Sequence, residues 1–317
     1  MNPGFLFRSK RAQKGRFKVF VQGKTMIAHA ILGAGAHEKD LRLLRFPALI
    51  VHASRQFACA DNAELLIILG GDGTIHHFLP ELVRSQKPVL IVPCGSGNDL
   101  ARALGIRSRA DAANLVGNFI EGTSSIGYID IGVVTDSTGK QTLFCCTAGV
   151  GLDAIAAQFA NGMPRALRAR GGYLIAAMDG LLKNPKLQLT VSAETGSDVQ
   201  TFELAACLFT AANTPSFGGG LRIAPDARLN DGQFDCILAE AMTKPRLVRA
   251  SMSLFRSTHL DLPEVHFMRL PSLHIESKPR ARVYADGEFV CETPCHLHVA
   301  PRALCVLARR SERPIEK

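Results

Sequence analysis

Three carboxylates stand in glycine-bearing turns where their chemistry could be used. Asp72 lies in LLIILGGDGTIHHFLPEL (65–82), Asp99 in PCGSGNDLARALGI (93–106) and Asp286 in YADGEFV (284–290). In the first stretch an apolar run ends in Gly70, Gly71 and Gly73. Glycine permits positive φ and close approach of another molecule. Backbone N–H groups of such a turn, with the helix N-terminus that follows, make an anion site. A carboxylate there repels phosphate unless a divalent metal or a lysine intervenes. Thr74 would then serve as a helix cap or a phosphate ligand. The plainer alternative is a tight strand–helix turn capped by Asp72. The second stretch repeats the pattern, with Gly95, Ser96, Gly97, Asn98 and Asp99 after another apolar strand. Neither matches the P-loop or the dinucleotide fingerprint. Asp286 is followed by glycine between two strand-like segments, so it can aim one carboxylate into a cleft or simply turn a hairpin.

The elements that must position these turns alternate in the first part of the chain. FKVFVQG (17–23) has strand composition, and residues 25–45 carry helix-like spacing. ALIVHAS (48–54), ELLIILGG (64–71) and PVLIVPCG (88–95) read as strands; helices are expected near 74–85, 98–104 and 109–120. Such alternation implies a parallel sheet buried on both faces, with both glycine turns at its carboxyl edge, where ligands bind. From GYIDIGVV (127–134) onward most segments are strand-like, interrupted by helical stretches at 164–183 and 244–257. The fold class is therefore α/β plus β: residues 1–130 form an α/β nucleotide-binding domain and 131–317 a mostly antiparallel β domain. The alternative for the final segment is a return to the first domain.

Composition narrows the class. The 317 residues are 47% hydrophobic and 21% charged, enough to bury a core. No run reaches the roughly 18 apolar residues of a membrane span. The N-terminus lacks a long apolar stretch and reads as a basic arm (Arg8, Lys10, Arg11, Lys14, Arg16), not a signal peptide. Nine cysteines, an odd number, sit mostly in apolar runs, as free thiols of a reducing cytoplasm would. The net charge of +9 calls for an acidic partner: nucleotide phosphate, an anionic membrane or nucleic acid. With no Trp and three Tyr, nucleic acid ranks last.

GGDGT (70–74) followed by GSGNDLAR (95–102) resembles the diacylglycerol kinase catalytic domain family, in its bacterial soluble lipid-kinase branch. The first motif alone also occurs in NAD kinases and phosphofructokinases; the pair is specific. GYIDIG (127–132), TAGVGLDA (147–154), FTAANTPSFGGGLRIAPDARLNDGQFD (209–235) and YADGEFV (284–290) extend the resemblance over nearly the whole chain. It implies a NAD kinase/diacylglycerol kinase-like fold: a Rossmann-like α/β domain, a C-terminal antiparallel β-sandwich domain, and the active site between them.

The resemblance also implies roles. Gly71, Asp72, Gly73 and Thr74 would hold ATP phosphates, with Asp72 and Asp99 in a catalytic Mg²⁺ network. Ser96 and Asn98, between Gly95 and Gly97, would contact nucleotide. Asp286 would be the general base for a lipid hydroxyl and Glu288 would support its turn. Asp231, with the carbonyls of Arg228 and Gln233, would hold a structural Mg²⁺. Phosphoryl transfer needs mainly positioning and charge neutralisation, which such a set supplies. The LNDG turn around Asp231 has a plain hairpin as its alternative.

One region departs from the family, whose first strand runs into Asn-Pro and a Gly-Lys turn. Here FKVFVQ meets Gly23-Lys24-Thr25, and the family lysine maps to Lys24, with nucleotide contacts by Gln22 and Thr25 following from that alignment. CETPCHLH (291–298) offers two thiols and two imidazoles, but strand period puts the pairs on opposite faces, against a metal site. His76 and His77 read as solvated helix histidines, with a nucleotide contact by His77 as the alternative. Arg165, Arg168 and Arg170 could meet anionic headgroups beside a helix that otherwise covers the β domain. The expected function is an ATP-dependent lipid kinase, cytoplasmic and peripherally membrane-associated. Diacylglycerol is the first substrate because Asp99 stands where sphingosine kinases often carry alanine. The rivals are a NAD kinase-like enzyme and a nucleotide-binding membrane sensor without turnover. A homodimer stays open.

Overall fold

The computed structural model describes residues 25–57, 62–124, 126–162, 183–195 and 198–308, with residue 180. The strand expected at 17–23, Gln22, Lys24, the basic arm and the three arginines at 165–170 lie outside the described residues. The first four strands are β1 (Met26–Leu32), β2 (Leu49–Ser54), β3 (Leu65–Gly70) and β4 (Val89–Pro93). They pair in parallel in the order β4-β3-β1-β2. All six residues of β3 are buried, as the centre of a parallel sheet covered on both faces requires.

Helix-like spacing over 25–45 is corrected here. MIAHAIL is strand β1, and only Glu38–Leu44 turns, as a 3₁₀ helix. A seven-residue apolar run has no periodicity of its own; burial between β2 and β3 decides it. The expected helices appear as α1 (Asp72–Ser85), α2 (Asp99–Ala103) and α3 (Arg109–Ile120). Ser108 caps α3, accepting from the Asp111 N–H at 3.1 Å.

The rest of the chain is strand-rich: β5 (Ile126–Asp136), β6 (Gln141–Phe144), β7 (Thr147–Gly151), β8 (Leu187–Thr195), β9 (Asp198–Ala212), β10 (Phe234–Glu240), β11 (Val265–Leu270), β12 (Ser272–Lys278), β13 (Arg282–Ala285), β14 (Glu288–Glu292) and β15 (Cys295–Leu307). These pair antiparallel with one another. Among the described residues two α-helices interrupt them, α4 (Leu152–Gly162), which sequence spacing had not marked, and α5 (Lys244–Phe255); the helix expected at 164–183 lies almost wholly outside the described residues. HLHVA and ALCVLARR, read separately, belong to the single strand β15, irregular between Ala300 and Leu304 where it follows β5. The start of β15 pairs with β12 and its end, at Val306, pairs in parallel with Val89 of β4. One strand thus ties the parallel sheet to the antiparallel one. Two main apolar cores flank this tie, one around β3 and β4 under α1–α3, the other between β9, β10 and β12–β15.

Candidate active site

The two glycine turns meet. A Cβ on Gly95 would lie 2.5 Å from Gly71 Cα, and one on Gly71 would lie 2.9 Å from Gly95 Cα. Only residues without a side chain let the backbones touch this closely. Gly70 and Gly33 are held open for Thr74, whose side chain would stand within 2.5 Å of a Cβ at either place. Asn98 shapes the second turn: at φ +56° its Oδ1 accepts from Gly95 N–H at 2.9 Å, and its Nδ2 donates to Gly95 O at 2.7 Å. Its side chain is therefore committed to its own loop. Ser96 and Gly97 line the same cleft as Gly71, Gly73 and Thr74.

Asp72 opens α1 but works on α2. Its Oδ2 accepts from Asp99 N–H at 3.0 Å and its Oδ1 from Leu100 N–H at 3.2 Å. Negative charge at a helix start satisfies donors that have no intrahelical partner. Asp99, 3% exposed, reaches into the other half of the protein. It accepts from Ser216 Oγ at 2.7 Å, Gly219 N–H at 2.8 Å and Arg102 at 2.6 Å. Burial and the neighbouring charge of Asp99 push the Asp72 carboxyl up to about 6, against the lowering effect of its two N–H bonds; Asp286 adds to the rise.

Asp286 faces these loops from the hairpin between β13 and β14. Asp286 and Gly287 both have positive φ (+49° and +85°), as a two-residue hairpin loop of mirror-image type requires. The carboxylate side chain is 1% exposed. Its Oδ1 accepts from the N–H groups of Cys146 (2.7 Å) and Thr147 (3.3 Å), and its Oδ2 from Cys145 N–H at 2.8 Å. A fourth partner is His76 of α1, whose Nδ1 lies 3.2 Å from Oδ2. Sequence reading had put His76 in solvent; its side chain is 14% exposed and lines the cleft. Glu288 is exposed on the same wall, and a Cβ on Gly73 would stand 3.8 Å from its Oε1 across the gap.

Asp72, Asp99 and Asp286 therefore open onto one cavity, of about 1240 Å³, with Asp153 also in its wall. Asp153 is partly exposed to the cavity, and burial of its carboxyl pushes it up to about 7, against the bonds from Thr210 and Ala154. Among the described residues of the wall, Arg55, at the end of β2, is the one lysine or arginine. Its Nη1 and Nη2 each lie 3.3 Å from a carbonyl of the Gly33–Ala36 loop. That loop follows β1.

The charge balance bears on metal. Asp72 is raised first by burial and then by the charges of Asp99 and Asp286, and a hard divalent cation arriving with phosphates fits two such carboxylates. Among the described residues, no group of three or more His, Cys, Asp or Glu side chains is arranged around a metal position, so phosphate, carbonyl or water oxygens would complete any shell. At the second expected site, Asp231 is exposed and its Oδ1 accepts from Gln233 N–H at 3.2 Å. Burial raises Asp130 and Asp235, and the charge of Asp231 adds to both; Asp235 Oδ2 is buried without a partner. The thiols of Cys291 and Cys295 are buried, and His296 and His298 stack at 5.6 Å, as alternation along β15 requires.

A parallel sheet bearing two touching glycine turns, faced by an acidic hairpin from a β domain, defines the class of kinases that share the NAD kinase-like architecture. The model of the diacylglycerol kinase catalytic domain matches residues 31–130, and that of the YegS C-terminal NAD kinase beta sandwich-like domain matches 146–308. A diacylglycerol kinase of Mycobacterium tuberculosis (strain ATCC 25618 / H37Rv) is 32% identical over 255 residues, 80% of this chain and 79% of that protein. One from Bacillus subtilis (strain 168) is 29% identical over 240 residues, 75% of each chain. A crystal structure described as a candidate diacylglycerol kinase from Bacillus anthracis str. Sterne superposes with a TM-score of 0.71 over 92% of this chain and 99% of that one, at 19% identity. The chain belongs to the diacylglycerol kinase catalytic domain family and is a lipid kinase.

Proposed function

We propose that this enzyme transfers the γ-phosphoryl group of ATP to the hydroxyl of a membrane lipid, with diacylglycerol as the first substrate. The carrying observation is the single cleft shared by the two glycine turns and the Asp286 hairpin. Triphosphate lies along the N–H groups of the glycine turns and the start of α1. Asp72 and Asp99 would hold Mg²⁺, which when bound neutralises phosphate charge. Arg55 adds a fixed positive charge at the same sheet edge. The acceptor hydroxyl enters from the hairpin side, where exposed Phe159 and Phe289 offer apolar surface to an acyl chain. Its proton leaves toward the Asp286–His76 pair.

Access to the lipid is by contact with an anionic bilayer. Among the described residues no helix is long and apolar enough to cross a membrane. The outer face of α5 instead exposes Val248, Met252 and Phe255, spaced i, i+4, i+7, beside exposed Lys244, Arg249 and Arg256. An apolar stripe flanked by bases is complementary to anionic headgroups over acyl chains. The test is transfer of labelled phosphate from ATP to a panel of lipids in mixed micelles, resolved by thin-layer chromatography. Label in phosphatidic acid supports the reading. Label in NAD alone, or ATP binding without transfer to any lipid, overturns it.

A further inference from the structure

We infer that the glycine tip 217–220, carried by the β domain, is a third wall of the phosphate site, and that its Gly218 N–H donates to the terminal phosphate of the bound nucleotide. The inference rests on the proposed use of ATP and adds a donor to that site.

The tip is a closed turn with one group left over. Phe217 and Leu221 exchange two backbone bonds, each of 3.0 Å. Gly220 N–H donates to Phe217 O at 3.2 Å, and Gly219 N–H donates to Asp99 Oδ2 at 2.8 Å. From Phe217 to Leu221 every N–H but that of Gly218 thus has a partner among the described residues, and Gly218 lines the cleft. Gly219 and Gly220 follow at φ +92° and +116°, a backbone that side chains rarely allow. A backbone donor left open in the wall of a phosphate cleft is complementary to an anion, and its bond to a charged oxygen is of the strong kind.

The tip is fixed against the second glycine turn. A Cβ on Gly219 would stand 3.6 Å from Ser96 O and 3.8 Å from Gly97 Cα. One on Gly220 would stand 3.7 Å from Arg102 Cζ, and Arg102 donates to Gly97 O at 2.9 Å. Ser216, buried at the root of the tip, donates from Oγ to Asp99 Oδ1 at 2.7 Å. Asp99 therefore grips the tip by a hydroxyl and an N–H, one on each oxygen.

Its anchor also selects the phosphate it meets. The N–H groups of Asn213 and Thr214, just ahead of the tip, donate to Cys146 O at 2.8 and 3.3 Å. Cys146 N–H in turn holds Asp286 Oδ1 at 2.7 Å. A single residue thus sets the spacing between the tip and the acidic hairpin on the acceptor side. The glycine turns of the α/β domain hold the triphosphate from the other side, so the phosphate lying between the two domains is the one to be transferred. A fixed N–H there stabilises charge on the moving phosphoryl group without reorganisation.

The test separates ATP from ADP. Ser216→Ala and Gly219→Ala, with folding monitored by circular dichroism, are compared with the wild type by calorimetry, using Mg²⁺ with either ADP or the β,γ-imido analogue of ATP. Each folded variant is expected to bind the analogue about tenfold more weakly and ADP as the wild type does. In the wild-type full chain labelled with [¹⁵N]glycine, the Gly218 amide proton, assigned by its loss in Gly218→Ala, should move downfield with the analogue and stay in place with ADP. Equal losses for the two nucleotides, no loss for either, or a Gly218 resonance that answers both alike overturns the inference. Should Gly219→Ala not fold, Ser216→Ala and the Gly218 resonance decide it. If the wild type binds the analogue but phosphorylates no lipid, the functional reading fails while the same ATP–ADP difference still decides the role of the tip. A wild type that binds neither nucleotide overturns both.

Discussion

Gly71 and Gly95 touch backbone to backbone, so the two glycine turns form one surface. A methyl group at Gly95 would stand 2.5 Å from Gly71 Cα and 3.1 Å from Gly71 N, and no flexible side chain can yield to it. Overpacking of this kind costs about 1–3 kcal/mol. Gly95→Ala is expected to lower the melting temperature by several degrees and to raise the KM for ATP about tenfold or more, because the turns must part. Gly127→Ala, with nothing within 4 Å of the added carbon, is the control expected to change neither.

Arg55 directly follows β2 at the sheet edge where the triphosphate is proposed to lie. Its guanidinium reaches two loop carbonyls at 3.3 Å, long enough to leave N–H groups for an anion. Arg55→Met is expected to raise the KM for ATP about tenfold, worth ~1.4 kcal/mol, with a smaller effect on kcat. Arg55→Lys should recover only part, since lysine lacks the planar fork. Steady-state kinetics at low and high salt check this. An unchanged KM for ATP in Arg55→Met would remove Arg55 from the site.

Asp153 carries a pH prediction. Burial pushes its folded pKa up to about 7, above the ordinary carboxylate value, so the folded protein binds this proton more tightly than the unfolded chain. The stability it contributes is present below the unfolded pKa and is lost as pH rises through about 7. At about 1.4 kcal/mol per unit, the loss amounts to a few kcal/mol. Asp153→Asn can still bond the Thr210 hydroxyl and has no charge to bury. Urea denaturation should show the wild type weakening between about pH 4 and about pH 7 and levelling off above that, while the variant changes less, so that the variant is the more stable at the alkaline end. Parallel curves would contradict the assignment.

What sequence disclosed depended on distance along the chain. Asp72 and Asp99 sit in turns with glycine on both sides of a strand end, a local pattern that specifies both backbone and chemistry. Asp286 was legible through its Asp-Gly hairpin and its resemblance to the family. His76 was not, because the group that defines it lies 210 positions away and nothing in GTIHH marks which helix face turns inward. Arg55 reads as an ordinary solvated base until the sheet brings it to the loop after β1. That loop was itself misplaced, since a short apolar run such as MIAHAIL gains its identity only from neighbours on either side. The commitment of Asn98 to its own turn, and of Asp99 to Ser216 and Gly219, needed the tertiary contacts.

The α5 surface makes the last prediction. Leu247 and Ala250 pack inward, leaving Met252 and Phe255 each 64% exposed and Val248 47% exposed on the outer face. Burying such side chains in a bilayer gains roughly 1.5–3 kcal/mol each, and each nearby base adds about 1 kcal/mol on an anionic surface. Met252→Glu with Phe255→Glu reverses both contributions without touching the cleft. Sedimentation with vesicles containing phosphatidylglycerol should show binding reduced tenfold or more, while wild-type binding weakens with added salt. Phosphorylation of a short-chain, water-soluble diacylglycerol should keep its rate, whereas that of diacylglycerol in vesicles should fall. If the double variant binds vesicles as the wild type does, the helix is not the docking face.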